Sequence, residues 1–270
     1  MTLEILICTY NDRILNVAKE LMPPMHNISY LVSWQQSDGY NGTSQLPDEL
    51  RREDVTVVTT QSTGLSLNRN NAIKNATGDI CLMSDDDLEY IPNHVAHIVE
   101  VFESHPSLDI ATFKYDSKNY PKQYPSYSFD LKQPPKGYYV TCFEIAFRRK
   151  SVQGKVWFNP LFGPNSPMFI SGEDGMFVFD ALSKGLSGFF FPYVIARHHH
   201  ATTRTHSAAD PRLVMATAAF IYIAYKDGTA PLRYVLLAWR ASHHNPLKFF
   251  TMLRHAINGV KYIKKNYVPA

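Results

Sequence analysis

GLSLNRNNAIKNATGDICLMSDDD, Gly64 to Asp87, holds a turn, a helix, a buried strand and three consecutive carboxylates in one stretch. Leu65 to Ala76 has helical spacing, and Gly78 sits where a left-handed residue would close the helix. DICLMS, Asp79 to Ser84, is an apolar run of strand length that ends directly on Asp85, Asp86 and Asp87. The same alternation extends outward in both directions. LEILIC (Leu3 to Cys8) predicts a first strand. Ile14, Leu15, Ala18, Leu21 and Met22 then predict a helix that Pro23-Pro24 ends. ISYLVSW and DVTVVTT predict a second and a third strand. IPNHVAHIVEVFESHP predicts a helix with Pro92 in its first turn and Pro106 beyond its end, and LDIATFKY predicts another strand. Strand alternating with helix predicts an α/β fold, a mostly parallel sheet flanked by helices, with ligands at the C-terminal ends of the strands. Polar residues cluster at those ends: Thr9-Tyr10-Asn11, Gln35-Gln36, Thr60-Gln61-Ser62 and the acidic triplet.

Composition bounds the rest. A hydrophobic fraction of 45% and a charged fraction of 19% support a sizeable core and exclude a disordered chain. The organisation expected is a catalytic domain over 1–205, with a donor half of about 1–115 and an acceptor half of about 116–205, then a helical, basic C-terminal extension over 206–270. From Pro231 to Ala270 there are seven Lys or Arg residues and no Asp or Glu. Amphipathic basic helices of this kind either rest on anionic membranes or pack as ordinary domain or homo-oligomer helices. No nucleic-acid motif accompanies the charge. MTLEILICTYND lacks a basic n-region, and no apolar run reaches the roughly 18 residues of a membrane span, so a cytoplasmic location is expected, with peripheral contact at the inner face of the membrane. Sequons at Asn27, Asn41 and Asn75 are then chance occurrences. Cys8, Cys81 and Cys142 lack metal-ligand spacing and are expected as buried free thiols.

The triplet is the sharpest chemical signal. Adjacent carboxylates repel one another where solvent is excluded, and a divalent cation compensates them. Hard oxygen ligands suit Mn2+ or Mg2+, which keep several waters and bind substrate phosphates through one or two carboxylates. Asp85 and Asp87, one residue apart, are placed to face such an ion, with Asp86 toward a ribose hydroxyl. The alternative is an acidic cap on a helix N-terminus. A second acidic pair lies in FISGEDGMFVFDALSKG, where Glu173 and Asp174 open a helix through Phe177, Val178, Ala181 and Leu182. A carboxylate there serves either as a general base toward an acceptor hydroxyl or as a dipole-stabilised cap. Histidines cluster in ARHHHATTRTH, and one imidazole of that run can ligate the same metal. Between Tyr115 and Tyr139, tyrosines mix with prolines at 121, 125, 134 and 135 without periodicity, which predicts a long loop whose rings suit a sugar acceptor.

The sequence resembles the family 2 glycosyltransferases of the GT-A (Rossmann-like) fold, inverting and nucleotide-sugar dependent. The resemblance rests on ILICTYND, on Gly64 to Asp87 and on FNPLFGPNSPMFISGEDGMF, and covers about Leu3 to His200. It implies that Thr9, Tyr10 and Asn11 border the nucleotide base and that Gly64, Arg69 and Asn70 bind the donor nucleotide. It also implies that Asp85 to Asp87 form the DXD-type metal motif, that Asp174 is the general base with Glu173 beside it, and that His198 is a metal ligand. Where the family often has Asp-Asp-Gly-Ser after the second strand, this chain has Trp34-Gln35-Gln36-Ser37, so Gln35 takes the base-binding position through its amide. The expected activity is a metal-dependent hexosyltransferase acting from a nucleotide-diphosphate sugar, UDP-sugars favoured, onto a glycan or lipid-linked acceptor. Bacterial surface polysaccharide biosynthesis is the setting this suggests. Two rival classes are weighed. A sugar-nucleotide pyrophosphorylase would need a Gly-rich loop after strand one, where TYNDR stands. A non-catalytic sugar- or nucleotide-binding module would need no second acidic motif.

Overall fold

The computed structural model describes residues 1–42, 46–198 and 210–267. The strands are β1 (Leu3–Tyr10), β2 (Ile28–Gln36), β3 (Val55–Gln61), β4 (Ile80–Ser84), β5 (Leu88–Tyr90), β6 (Ile110–Asp116), β7 (Phe129–Asp130), β8 (Ile145–Arg148) and β9 (Gly188–His198). The helices are α1 (Ile14–Val17), α2 (Leu65–Asn75), α3 (Pro92–Ser104), α4 (Arg149–Val152), α5 (Glu173–Ser183), α6 (Pro211–Ala224), α7 (Ala230–Ala241) and α8 (Pro246–Asn266). The strands form one sheet in the order β3-β2-β1-β4-β8-β6-β9-β5, with β7 on β9.

The β3-β2-β1-β4 half is parallel throughout. Beyond it the sheet is mixed, because β8 runs antiparallel to both β4 and β6. β5, β7 and β8 escape a reading of periodicity because each is only two to four residues long. Alternation along β1 divides the core. Leu3, Ile5 and Ile7 point to the face covered by α1 and α3, while Leu6 and Cys8 point to the face covered by α2 and α5. Each such buried aliphatic side chain contributes about 1.5–3 kcal/mol relative to exposure. All three cysteines are buried free thiols, as expected.

Two local expectations change. The first helix is not one regular element: Asn11–Arg13 and Ala18–Glu20 are tighter 3-10 turns on either side of α1. Gly78 is not a left-handed cap, since α2 ends on Ala76 in extended conformation. It is there for space: a Cβ at Gly78 would lie 2.6 Å from the Cβ of Glu4, whose carboxylate accepts from the Gly78 and Thr77 backbone N–H groups.

The tyrosine-rich segment after β6 is a loop, interrupted by β7, and is pinned by one buried pair. Lys122 donates to both Glu144 oxygens at 2.7 Å, and the Tyr124 hydroxyl donates to the same carboxylate. Burial pushes the Glu144 carboxyl up, and Lys122 opposes that shift. Such pairs are tolerated in a core only when their remaining hydrogen-bonding capacity is met, as it is here by the Thr141 N–H. The Lys122 ammonium also lies 4.1 Å from the Tyr139 ring centroid, which fixes Tyr139 in the wall described below.

At the C-terminal end, α6, α7 and α8 pack on one another and, through α6 and α8, against α5. Gly259 makes this possible, because a Cβ there would lie 2.4 Å from the Met215 carbonyl oxygen. The basic helices therefore bury one side in the protein. The expected boundary between residues 205 and 206 lies outside the described residues, as do His199 and His200. Among the described residues no helix is long and apolar enough to cross a membrane.

Candidate active site

Register brings the polar strand ends level. Tyr10 pairs with Gln35, and Gln35 with Thr60, while Ile7 pairs with Ser84, so the residues after β1, β2 and β4 share one edge. A cavity of about 400 Å3 opens there, between this edge and the first turn of α5. Thr9, Tyr10, Gln35, Arg69, Asp85, Asp86, Asp87, Glu173, Asp174 and His198 all line it. Two segments far apart in sequence, the triplet and the Gly-Glu-Asp turn, thus face each other across one space.

Arg69 holds them there. It is 2% exposed, on the buried face of α2, and its guanidinium lies 5.2 Å from the Phe158 ring centroid. From Nη1 it donates to Asp174 Oδ1 at 2.8 Å and to Glu173 Oε1 at 3.1 Å, and from Nη2 to Asp85 Oδ1 at 3.1 Å. Burial works against the charge on Arg69, but Asp174, Asp85 and Glu173 hold it protonated well above its ordinary range. The planar fork of arginine suits this work, since one group must meet three carboxylates in fixed directions.

Asp86 and Asp87 have different partners. Asp86, 4% exposed, accepts from Thr9 Oγ1 at 2.6 Å and from Arg13 Nε at 2.9 Å on both oxygens. Burial raises its pKa, while Arg13 and Thr9 pull it back. Asp87 Oδ1 lies 3.3 Å from His198 Nε2. That contact follows from the antiparallel pairing of β5 with β9, which sets Leu88 opposite His198. Arg13 escaped the sequence reading; its signal was a lone cation directly after the first strand in TYNDR.

The other sequence-derived residues take supporting positions. Asn11, at φ 49°, accepts from the Ser37 N–H at 3.0 Å through its side chain and from Trp34 Nε1 at 2.9 Å through its carbonyl, tying the ends of β1 and β2 together. Gln35 donates to Ser62 Oγ at 2.7 Å and to the Gly64 carbonyl at 3.0 Å. Asn70 does not line the cavity. It accepts from the Phe158 N–H at 2.7 Å and donates to the Phe158 carbonyl at 2.8 Å, clamping the segment that leads to α5. Asn68, not singled out from sequence, donates to the Thr9 carbonyl at 2.9 Å and accepts from Ser33 Oγ at 2.6 Å. Its signal was the run Asn-Arg-Asn-Asn, in which each amide has its own backbone or hydroxyl partner.

Whether the site suits a divalent cation is a question of donor chemistry. Among the described residues, no group of three Asp, Glu, His or Cys side chains stands in metal-holding geometry. Asp87 and His198 nevertheless meet on the cavity wall with Asp85 beside them. An oxygen and nitrogen set of one or two side chains fits Mg2+ or Mn2+, whose other positions go to phosphate oxygens and water.

Residues 37–156 match the family model described as Glycosyl transferase family 2. No curated protein matches the sequence. Among solved structures, S. aureus TarS 1-349 in complex with UDP-GlcNAc is similar, with a TM-score of 0.61 and 15% identity over 99% of this chain and 91% of that one. The mannosyltransferase PcManGT from Pyrobaculum calidifontis, in complex with GDP-Man and Mn2+, gives a TM-score of 0.55 at 15% identity over 98% of this chain and 76% of that one. A mycobacterial protein gives 0.54 at 13% identity over 83% and 74%. At these identities the likeness is one of fold.

The Arg69 arrangement makes a stability prediction. Arg69→Met leaves Asp85, Glu173 and Asp174 close together without their shared cation, and denaturant unfolding should show a loss of about 3–5 kcal/mol. Wild-type stability in the variant would contradict a bracing role.

Proposed function

We propose that this chain, whose residues 37–156 match the family 2 glycosyltransferase model, transfers a sugar, with inversion, from a nucleotide-diphosphate sugar to an acceptor hydroxyl. UDP-sugars are the favoured donors, and the acceptor is a glycan or lipid-linked molecule in the assembly of a surface polysaccharide. The observation that carries this reading is Arg69, bonded at once to Asp85 on the strand-end wall and to Asp174 on the helix wall of one cavity. A nucleotide-sugar donor is supported by the fold's likeness to TarS, solved with UDP and with UDP-GlcNAc, and to a mannosyltransferase solved with GDP-Man and Mn2+.

In this mechanism Thr9, Tyr10 and Gln35 hold the nucleotide at the strand ends. Asp174 is the general base, and its carboxylate takes the proton of the acceptor hydroxyl. That oxygen attacks the anomeric carbon as the bond from this carbon to the diphosphate breaks, with the electron pair leaving on the diphosphate. Attack from the face opposite the leaving group inverts the configuration, without a covalent enzyme intermediate. The base contributes about 10²- to 10⁴-fold. Arg69 orients the base through Asp174 Oδ1 and is itself held by Glu173 Oε1. Asp85, Asp87 and His198 would hold a divalent cation, which when bound neutralises charge on the diphosphate.

A second surface bears on the acceptor's source. Leu232, Val235, Leu236 and Trp239 form one exposed stripe on α7, and on α8 Leu247 is 88% exposed and Phe250 71%. Lys248, Arg254 and Lys261 are exposed on the same basic helix. Apolar side chains among cations suit the headgroup region of an anionic bilayer, so the enzyme rests on the inner face of a membrane.

With Mn2+ and a panel of UDP- and GDP-sugars, the protein should release nucleotide slowly, a chelator should abolish that release, and Asp87→Ala should lower it at least 100-fold. Equal rates with and without chelator, in wild type and variant alike, would overturn the metal-dependent reading. On phosphatidylglycerol vesicles the protein should co-sediment at low salt and be released at high salt, and Leu247→Glu with Phe250→Glu should remove binding. Vesicle binding indifferent to both changes would exclude this surface as the membrane contact.

A further inference from the structure

A second cavity, of about 570 Å3, lies behind the first, enclosed by the loop after β7 and by α5 and α6. The two share a wall: Tyr139, Val140, Ser171, Gly172 and Gly175 line both, so they adjoin at the residues flanking Asp174.

The linings differ in chemistry. The first cavity is walled by aspartates, Glu173, two arginines, amides and an imidazole. Among the described residues, the second has no Asp, Glu, Asn, Gln, Arg or His in its lining, and Lys132 is its one charged residue. Leu131, Val178, Leu182, Ala216 and Phe220 dominate its surface. The Tyr138 hydroxyl pairs with Thr112 Oγ1 at 2.8 Å, in the core. Sugar hydroxyls brought into such a space would find few partners beyond the hydroxyls of Ser171, Ser183, Thr217 and the tyrosines, and each one left unpaired costs about as much as a lost hydrogen bond. Hydrocarbon brought there loses nothing and gains burial.

We propose that this cavity is the acceptor's apolar subsite: the acceptor carries a hydrocarbon portion that lies between α5, α6 and the 131–140 loop and delivers its hydroxyl to Asp174. The inference rests on the glycosyltransfer reading above and decides between its two acceptor classes in favour of the lipid-linked one. Adjacency to the base argues for the occupant. The residues on either side of Asp174, Gly172 and Gly175, line this cavity too, so a molecule whose hydroxyl reaches Asp174 can lay a hydrocarbon portion there.

The test uses methyl, butyl and octyl β-D-glucopyranosides as probes, below micelle-forming concentrations, with dissociation constants from ligand-observed NMR titration. Affinity should rise about 2- to 4-fold per added methylene until the chain is accommodated, so that octyl binds at least tenfold more tightly than methyl. Thr217→Trp, at an exposed position on α6 that lines the cavity, should erase this dependence, as should Ala224→Trp. UDP binding in the presence of Mn2+ should stay at its wild-type value in both variants and reports separately on the donor site. Equal affinity for all three chain lengths would overturn the proposal, as would a chain-length dependence that survives both substitutions. Absence of metal-dependent UDP binding in the wild type would instead overturn the glycosyltransfer reading on which the proposal rests.

Discussion

A buried arginine has to be surrounded by acceptors, and that requirement organises this molecule. Arg69 lines the cavity with three carboxylates on it, drawn from two separate parts of the fold. Asp85 is delivered by the end of β4, Glu173 and Asp174 by the first turn of α5, and the arginine itself by α2. Desolvating the guanidinium without these partners would cost several kcal/mol, so the strand-end half and the helix half are fixed against one another by the same group. Asn70, one residue along α2, adds a second clamp on the Phe158 backbone.

The two walls thus linked divide the chemistry. On the strand-end wall, Asp86 is engaged by Thr9 and Arg13, while Asp85 and Asp87 lie to either side with His198 beside Asp87. On the helix wall, Asp174 lies between Gly172 and Gly175, which line the second, apolar cavity as well. The polar and the apolar cavity therefore adjoin beside one carboxylate, the general base of the proposed reaction. The exposed apolar stripes of α7 and α8 are the surface on which the proposed membrane contact rests.

Much of the donor side was legible in the sequence. β1 to β4, α2 and α3 follow from long apolar runs and 3.6-residue spacing, and the polar strand ends follow from the parallel order those runs impose. The Asp triplet and the Gly-Glu-Asp turn stand out because carboxylates beside apolar runs require partners. Gly78 was misread as a cap because spacing shows a helix end but not the backbone of Glu4 beside it. β5, β7 and β8 are too short for a periodic signal, and the mixed half of the sheet depends on them. Arg13 and Asn68 were missed because their partners lie 73 and 59 residues away, beyond local pattern. The partners of Arg69 were hidden in the same way, since nothing in Asn-Arg-Asn-Asn announces a group 104 residues downstream.

Asp174, bonded to Arg69 on the cavity wall, is the proposed general base on which the reaction depends. The decisive measurement is the turnover of a nucleotide-sugar donor by Asp174→Asn, set beside its affinity for the same nucleotide. A general base predicts nucleotide affinity within about threefold of wild type and turnover lowered by about 100-fold or more. Turnover at the wild-type rate, or loss of nucleotide binding together with turnover, would contradict it.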